Sequence, residues 1–88
     1  MREKVYQVLI DKRTEKSVDR LPIKIRLRIR KAMRDLGENP RPRGCKKIEK
    51  EDDIYRIWVG RNYRVFYRID DNKRIVTVTE ATTREGAY

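Results

Sequence analysis

An α+β fold with the element order β-α-α-β-β-β, an antiparallel sheet carrying two N-terminal helices on one face, is predicted by three features of this 88-residue chain. The chain opens on a short β-branched and aromatic run, VYQVLI. Its next section places apolar residues at helical spacing, and its second half holds three runs of alternating residues separated by turn-length gaps.

Taken in order, VYQVLI (5–10) has the composition of a strand. Asp11 opens a polar, helix-compatible run, DKRTEKSVDRL, in which Val18 and Leu21 fall on one face. Leu21-Pro22 marks a boundary, because a residue before proline is pushed out of the helical region. The following PIKIRLRIRKAMRDLGENP reads two ways: IKIRLRIR alternates like a strand, yet Pro22 suits the first turn of a helix and Gly37 a helix stop. Ile25, Ile29, Met33 (or Ala32) and Leu36 form a stripe that runs the full length, which favours a helix, with Ile23 and Leu27 expected to widen its apolar face. From Glu38 to Asp53 the sequence is rich in proline and charge and is expected to be a loop. IYRIWV, NYRVFYRI and RIVTVTEA follow as strands, joined by Gly60-Arg61 and by DDNK, both short enough for hairpins.

A chain of this length forms one domain, 1–88, that buries only about 60 to 65% of its unfolded surface. Its 24 Lys and Arg against 14 Asp and Glu give a net charge of +10, which favours phosphate-rich partners, nucleic acid before anionic membrane. No run approaches the roughly 20 apolar residues of a membrane span, and MREKVYQVLI puts charge where a signal peptide needs an apolar centre. A cytoplasmic location without a membrane partner is therefore expected. Cys45 is the single cysteine and histidine is absent, so neither an intrachain disulfide nor a Cys/His metal site is expected. No small-molecule cofactor is implied. Without histidine, acid-base chemistry has no side chain that titrates near neutrality unaided. Cys45 sits among basic neighbours that favour a thiolate, but no base partner is recognisable beside it.

Side chains alternate across a strand, which sorts YRIWVGRNYRVFYRI onto two faces. Tyr55, Ile57 and Val59, with Tyr63, Val65, Tyr67 and Ile69, form an apolar set expected to pack under the helices together with Val8 and Ile10 or their neighbours from the first strand. Arg56, Trp58, Arg64, Phe66 and Arg68 fall on the other face. Cations beside aromatic rings on an open sheet are the chemistry of single-stranded RNA binding, phosphate clamps next to stacking platforms. A merely solvated outer face also shows arginine, but a bulky exposed Trp58 suits it poorly. Arg84 and Tyr88, just past the last strand, can return a cation and a ring to the same face. The helical cations Lys24, Arg26, Arg28, Arg30, Lys31 and Arg34 read as a solvated surface able to touch RNA electrostatically.

The element order, the segment YRIWVGRNYRVFYRID and the ending TREGAY together resemble the RelE/ParE superfamily of toxins from toxin-antitoxin systems, most closely its RelE branch. The likeness runs from VYQVLI to Tyr88. It implies a ribosome-dependent endoribonuclease, an mRNA interferase that cuts messenger RNA in the ribosomal A site, inhibits translation and is neutralised by a cognate antitoxin. Under it the family's catalytic arginine of the YR hairpin strand falls on Arg64, its late arginine on Arg84 and its terminal tyrosine on Tyr88. Arg56 matches a common basic position, whereas Trp58 stands where relatives often carry a second one. The implied reaction is attack of a ribose 2′-hydroxyl on the adjacent phosphorus, leaving a 2′,3′-cyclic phosphate and a 5′-hydroxyl, without a metal.

A guanidinium is a strong electrostatic clamp and a poor base. Arg56 and Arg64 therefore suit phosphate stabilisation, Arg84 the phosphate or the leaving oxygen, and Tyr88 stacking or proton transfer. Trp58, Phe66, Lys46, Lys47 and Arg61 are expected to contact RNA. Lys46, Lys47, Glu80 and Tyr88 are all conceivable as general base. A ParE-like inhibitor of DNA gyrase and a non-catalytic basic RNA-binding module are the competing readings.

Overall fold

The computed structural model describes residues 5–49 and 53–83. Along the chain lie β1 (Gln7–Ile10), α1 (Lys12–Asp19), α2 (Ile23–Asp35), β2 (Lys46–Glu49), β3 (Ile54–Val59), β4 (Tyr63–Asp70) and β5 (Ile75–Thr83). The strands form one sheet in the order β1-β5-β4-β3-β2. This is the expected α+β fold, with two features beyond the expected order. β2 is a fifth strand inside the stretch expected to be a loop, and β1 joins β5 in parallel, so the sheet is mixed.

Asp11 starts α1 by accepting a hydrogen bond from the Arg13 backbone N–H at 2.7 Å, which satisfies one of the donors a helix start leaves unpaired. Thr14 and Val18 are the buried residues of that helix. α2 begins after Pro22, which occupies the capping position with φ −55° rather than the first helical one. Its buried stripe is Ile29, Met33 and Leu36, with Ile25 and Ala32 packed alongside. Ile23 and Leu27 do not widen this stripe: they are 55% and 59% exposed. They precede Ile25 and Ile29 by two residues, about 200° around a helix of 3.6 residues per turn, and so face away from the sheet.

The helices cover one side of the sheet. Ile57, Val59, Val65, Tyr67 and Ile69 are buried there, with Tyr55 and Tyr63 at the margins, as the alternation predicted; Val76 and Val78 of β5 join them, and Val8 and Ile10 are the β1 residues that pack alongside. Gly37 joins α2 to β1: its carbonyl accepts the Val5 and Tyr6 N–H groups, and a side chain there would meet the Tyr6 carbonyl at 3.0 Å. Gly60, at φ +65°, turns β3 into β4 in a backbone region where glycine has no steric cost.

The Pro-rich segment after α2 is fixed by side chains of the sheet. The buried Tyr67 hydroxyl donates to the Pro40 carbonyl at 2.7 Å, and burial, before any neighbouring charge, pushes that phenol upward. Arg41 grips Asp71 at 2.9 and 3.3 Å, stacks over Tyr55, and shares Asp71 with the Tyr6 hydroxyl. Held this way, the segment enters the sheet as β2. Among the described residues, no helix is long and apolar enough to cross a membrane.

Candidate nucleic-acid interface

The face of the sheet away from the helices carries the residues singled out from sequence, and strand register sets their spacing. Arg56 pairs with Phe66 across β3 and β4, and Trp58 pairs with Arg64, so cations and rings alternate like squares on a board. The guanidinium carbons of Arg56 and Arg64 lie 5.2 and 5.8 Å from the Trp58 ring centre, and that of Arg64 lies 5.4 Å from Phe66. These are cation–π distances. Such contacts help to hold each guanidinium in place.

The hydrogen-bond donors of these guanidiniums are not fully used by the protein. Arg64 donates from one terminal nitrogen to the Thr83 carbonyl at 3.3 Å, while the Nε groups of Arg56 and Arg64 are buried without a partner. The Thr82 hydroxyl, opposite Arg64 across β4 and β5, is likewise buried and unpartnered. Charge neutralisation is missing here too. Among the described residues, the acidic partners go to Arg30, Lys31, Arg41 and Lys47, and none goes to Arg56 or Arg64. Two guanidiniums that lie beside aromatic rings and have no carboxylate partner among the described residues have the chemistry to bind a polyanion with planar groups.

Lys46 pairs with Arg56 across β2 and β3 and extends this surface by one cation. Lys47 pairs with Tyr55, on the helix side, and binds Asp53 at 3.2 Å, so it is not brought to the same face. Arg61 is exposed at the tip of the β3–β4 turn, and Arg68 is exposed on β4. Trp58, 41% exposed, also borders a cleft of about 660 Å³ between the end of α2, the Pro-rich segment and β3. Arg84 and Tyr88 lie outside the described residues. Cys45 is half-buried beside the core, the place of a packing residue.

Sequence reasoning did not place Glu80 and Thr82 on this face. Val76 and Val78 point into the core, so strict alternation would send Glu80 there as well. Instead the pairing with β4 shifts between Phe66 and Tyr67, where Thr79 and Glu80 together stand against Phe66. This β-bulge moves Glu80 and Thr82 to the arginine side. The signal was in the text of β5: a charged residue at the next core position after V-T-V is an invitation to look for a bulge.

The family described as the ParE toxin of the type II toxin-antitoxin system parDE matches residues 8–84 of this chain. A Methanocaldococcus jannaschii protein assigned as toxin RelE1 is 30% identical over 86 residues, covering 94% of each chain. Among solved structures, the archaeal RelE-RelB complex from Pyrococcus horikoshii OT3 superposes with a TM-score of 0.80 at 27% identity, covering 91% of this chain and 96% of the other. The intact RelBE toxin-antitoxin complex of E. coli gives 0.75 at 26% identity, over 94% and 96% of the two chains.

Proposed function

This chain belongs to the ParE toxin family of type II toxin-antitoxin systems and is a RelE-like toxin; we propose that it acts as a ribosome-dependent endoribonuclease that cuts messenger RNA in the ribosomal A site. The observation that carries this reading is the pair of arginines, Arg56 and Arg64, that lie over aromatic rings on the sheet face away from the helices and, among the described residues, have no carboxylate partner. A surface for binding a protein partner alone has no need of guanidiniums without carboxylate partners beside the exposed Trp58 ring. A phosphodiester flanked by bases uses both.

In the proposed reaction a ribose 2′-oxygen attacks the adjacent phosphorus, and extra negative charge develops on the nonbridging oxygens. Arg56 and Arg64 meet that charge, as fixed donors aimed at a transition state rather than at the resting substrate. Trp58 and Phe66 stack on bases, while Lys46 and Arg61 hold the flanking backbone. Arg84 and Tyr88 enter as the residues of the TREGAY ending that match the family's late arginine and terminal tyrosine. Lys47, paired with Asp53 on the helix side, is left out of this contact. The arginines supply the charge a metal would otherwise bring, so the reaction is proposed to need none. A site built on positioning and charge gains most when the substrate is bent into line from outside, which is the part given to the ribosome.

The P. horikoshii and E. coli structures described above are complexes of toxin with antitoxin, and a cognate antitoxin is proposed as the partner that silences this chain too, in the cytoplasm where ribosomes and message meet. Mapping the 5′ ends of messenger RNA after induced expression tests the reading. Cuts confined to translated codons, with 5′-hydroxyl ends, are expected. The family match to ParE favours a second reading, inhibition of DNA gyrase; replication arrest over intact messages would establish it and overturn the first. Harmless overexpression would leave only a binding module.

A further inference from the structure

The proposed reaction lacks a group to take the proton of the attacking 2′-hydroxyl, and the guanidiniums that crowd the site are unfit for it. We propose that Glu80, carried onto the arginine face by the β5 bulge, is that general base; the inference rests on the ribonuclease reading above.

Register places it. Lys46, Arg56, Phe66 and Glu80 form one row across β2, β3, β4 and β5, and Trp58, Arg64 and Thr82 form the next. Adjacent strands are about 4.8 Å apart, so the backbones at Arg56 and Glu80 stand about 10 Å from each other with Phe66 between them. Arg64 is the diagonal neighbour of Glu80, about 7–8 Å away. The Arg64 guanidinium carbon lies 5.4 Å from the centre of the Phe66 ring, the residue that stands opposite Glu80 in the ladder. One sugar-phosphate unit fits that span, with its phosphate toward the arginines and its 2′-hydroxyl toward the carboxylate.

Three further observations favour this role over a solvated surface charge. Glu80 is the sole acidic residue in the two rows that hold Arg56 and Arg64. It is exposed and, among the described residues, forms no ion pair. The bulge itself disturbs an otherwise regular ladder: Thr79 is the extra residue, its hydroxyl donates to the Phe66 carbonyl at 3.4 Å, and the shift re-aims Glu80 out of the core. Such re-aiming beside a working site is a recurrent use of bulges. Of the other conceivable bases, Tyr88 lies outside the described residues and the two lysines fit less well. Lys47 is engaged by Asp53 on the helix side, and Lys46 stands at the outer end of the row as a cation.

The step balances without a co-reactant. The Glu80 carboxylate accepts the 2′-hydroxyl proton as the O2′–P bond forms. The P–O5′ bond then breaks, its electron pair leaves on O5′, and O5′ takes a proton from water. The hydroxide left behind removes the proton from Glu80. No water is consumed, and the products are the cyclic phosphate and the 5′-hydroxyl.

The test is single-turnover cleavage of messenger RNA on programmed ribosomes, comparing wild type, Glu80→Gln, Glu80→Asp and Arg64→Ala. Glu80→Gln keeps size and shape at an exposed position, so the fold is retained, which circular dichroism checks. General bases contribute about 10²–10⁴-fold, so Glu80→Gln is expected to lose at least 100-fold in the saturated rate, with the half-saturating ribosome concentration changed by less than about threefold. Glu80→Asp should recover part of the rate. An undiminished Glu80→Gln rate overturns the inference while leaving the ribonuclease reading intact, provided Arg64→Ala is inactive. A change in half-saturation alone overturns it too, assigning Glu80 to base contact. Absence of cleavage by the wild type overturns both.

Discussion

Two surfaces of this small domain are rich in cations, and they treat those cations in opposite ways. On the helical layer Arg30 binds Glu15 at 2.8 Å and Asp19 at 2.6 Å, tying α1 to α2, and Lys31 binds Asp35 at 3.0 Å. Glu15 first, then Asp19, hold the Arg30 guanidinium still more firmly protonated. On the sheet face away from the helices Arg56 and Arg64 lie beside aromatic rings and, among the described residues, have no carboxylate partner. A net charge of +10 draws polyanions toward the whole domain. Where a phosphate is gripped depends on which cations the protein has left uncompensated.

The largest expected effect lies at Arg64. Arg64→Ala should lower the single-turnover cleavage rate by about 10²–10³-fold, the usual cost of losing one preorganised donor, while chemical denaturation shows a loss of about 1–2 kcal/mol from the missing ring contacts and the hydrogen bond to Thr83. Arg64→Lys keeps the charge but not the planar stack on Trp58 and Phe66, so it should restore only a fraction of the rate. If lysine restores it all, point charge alone is at work, and the stacked geometry has no catalytic meaning.

Trp58→Ala should come next, weakening binding of single-stranded RNA by about 1–3 kcal/mol in a titration, the range for one base–aromatic stack. On the helical layer the effect should change kind. Arg30→Ala is expected to destabilise by about 0.5–1 kcal/mol, since its ion pairs are partly solvated, and to leave the saturated cleavage rate unchanged. A rate loss matching that of Arg64→Ala would erase the distinction between the surfaces.

The smallest effect concerns the clamp under the Pro-rich segment. Arg41, and then the Tyr6 hydroxyl, hold the Asp71 carboxyl below its ordinary value. A carboxylate depressed in the folded state stabilises above its unfolded pKa, about 3.9, and that contribution fades as pH falls through the folded value. The melting temperature of Asp71→Asn should therefore lie below that of wild type at pH 7, and the gap should close as the pH is taken below about 3.9.

Much of this architecture was legible in the chain because period and burial agree. Ile25, Ile29 and Met33 repeat at helical spacing and face the sheet, and Ile57, Val65 and Tyr67 alternate and lie in the core. Where a segment lacks a period, the sequence was silent. KKIE forms β2 although it has no apolar alternation, because an edge strand needs backbone pairing on one side only and tolerates lysine well. The parallel entry of β1 beside β5 depends on where the chain returns after the helices, which local composition does not encode. Ile23 and Leu27 misled because apolar residues are also affordable on an exposed helix face. At the site, the alternation of YRIWV and YRVFYRI gave Arg56, Trp58, Arg64 and Phe66 correctly, whereas Glu80 and Thr82 required the bulge.

The contrast between the two surfaces is tested most directly by one measurement: the saturated rate of A-site cleavage on programmed ribosomes for wild type, Arg64→Ala, and a triple variant, Lys16→Ala/Lys24→Ala/Arg34→Ala, that removes three exposed helical cations. The triple variant should need more ribosome to saturate, by loss of general attraction to RNA, yet reach the wild-type rate, while Arg64→Ala falls at least 100-fold short at any concentration. Equal maximal rates for Arg64→Ala and wild type, or a triple variant as slow as Arg64→Ala, would contradict the assignment of the open sheet face as the cleaving surface.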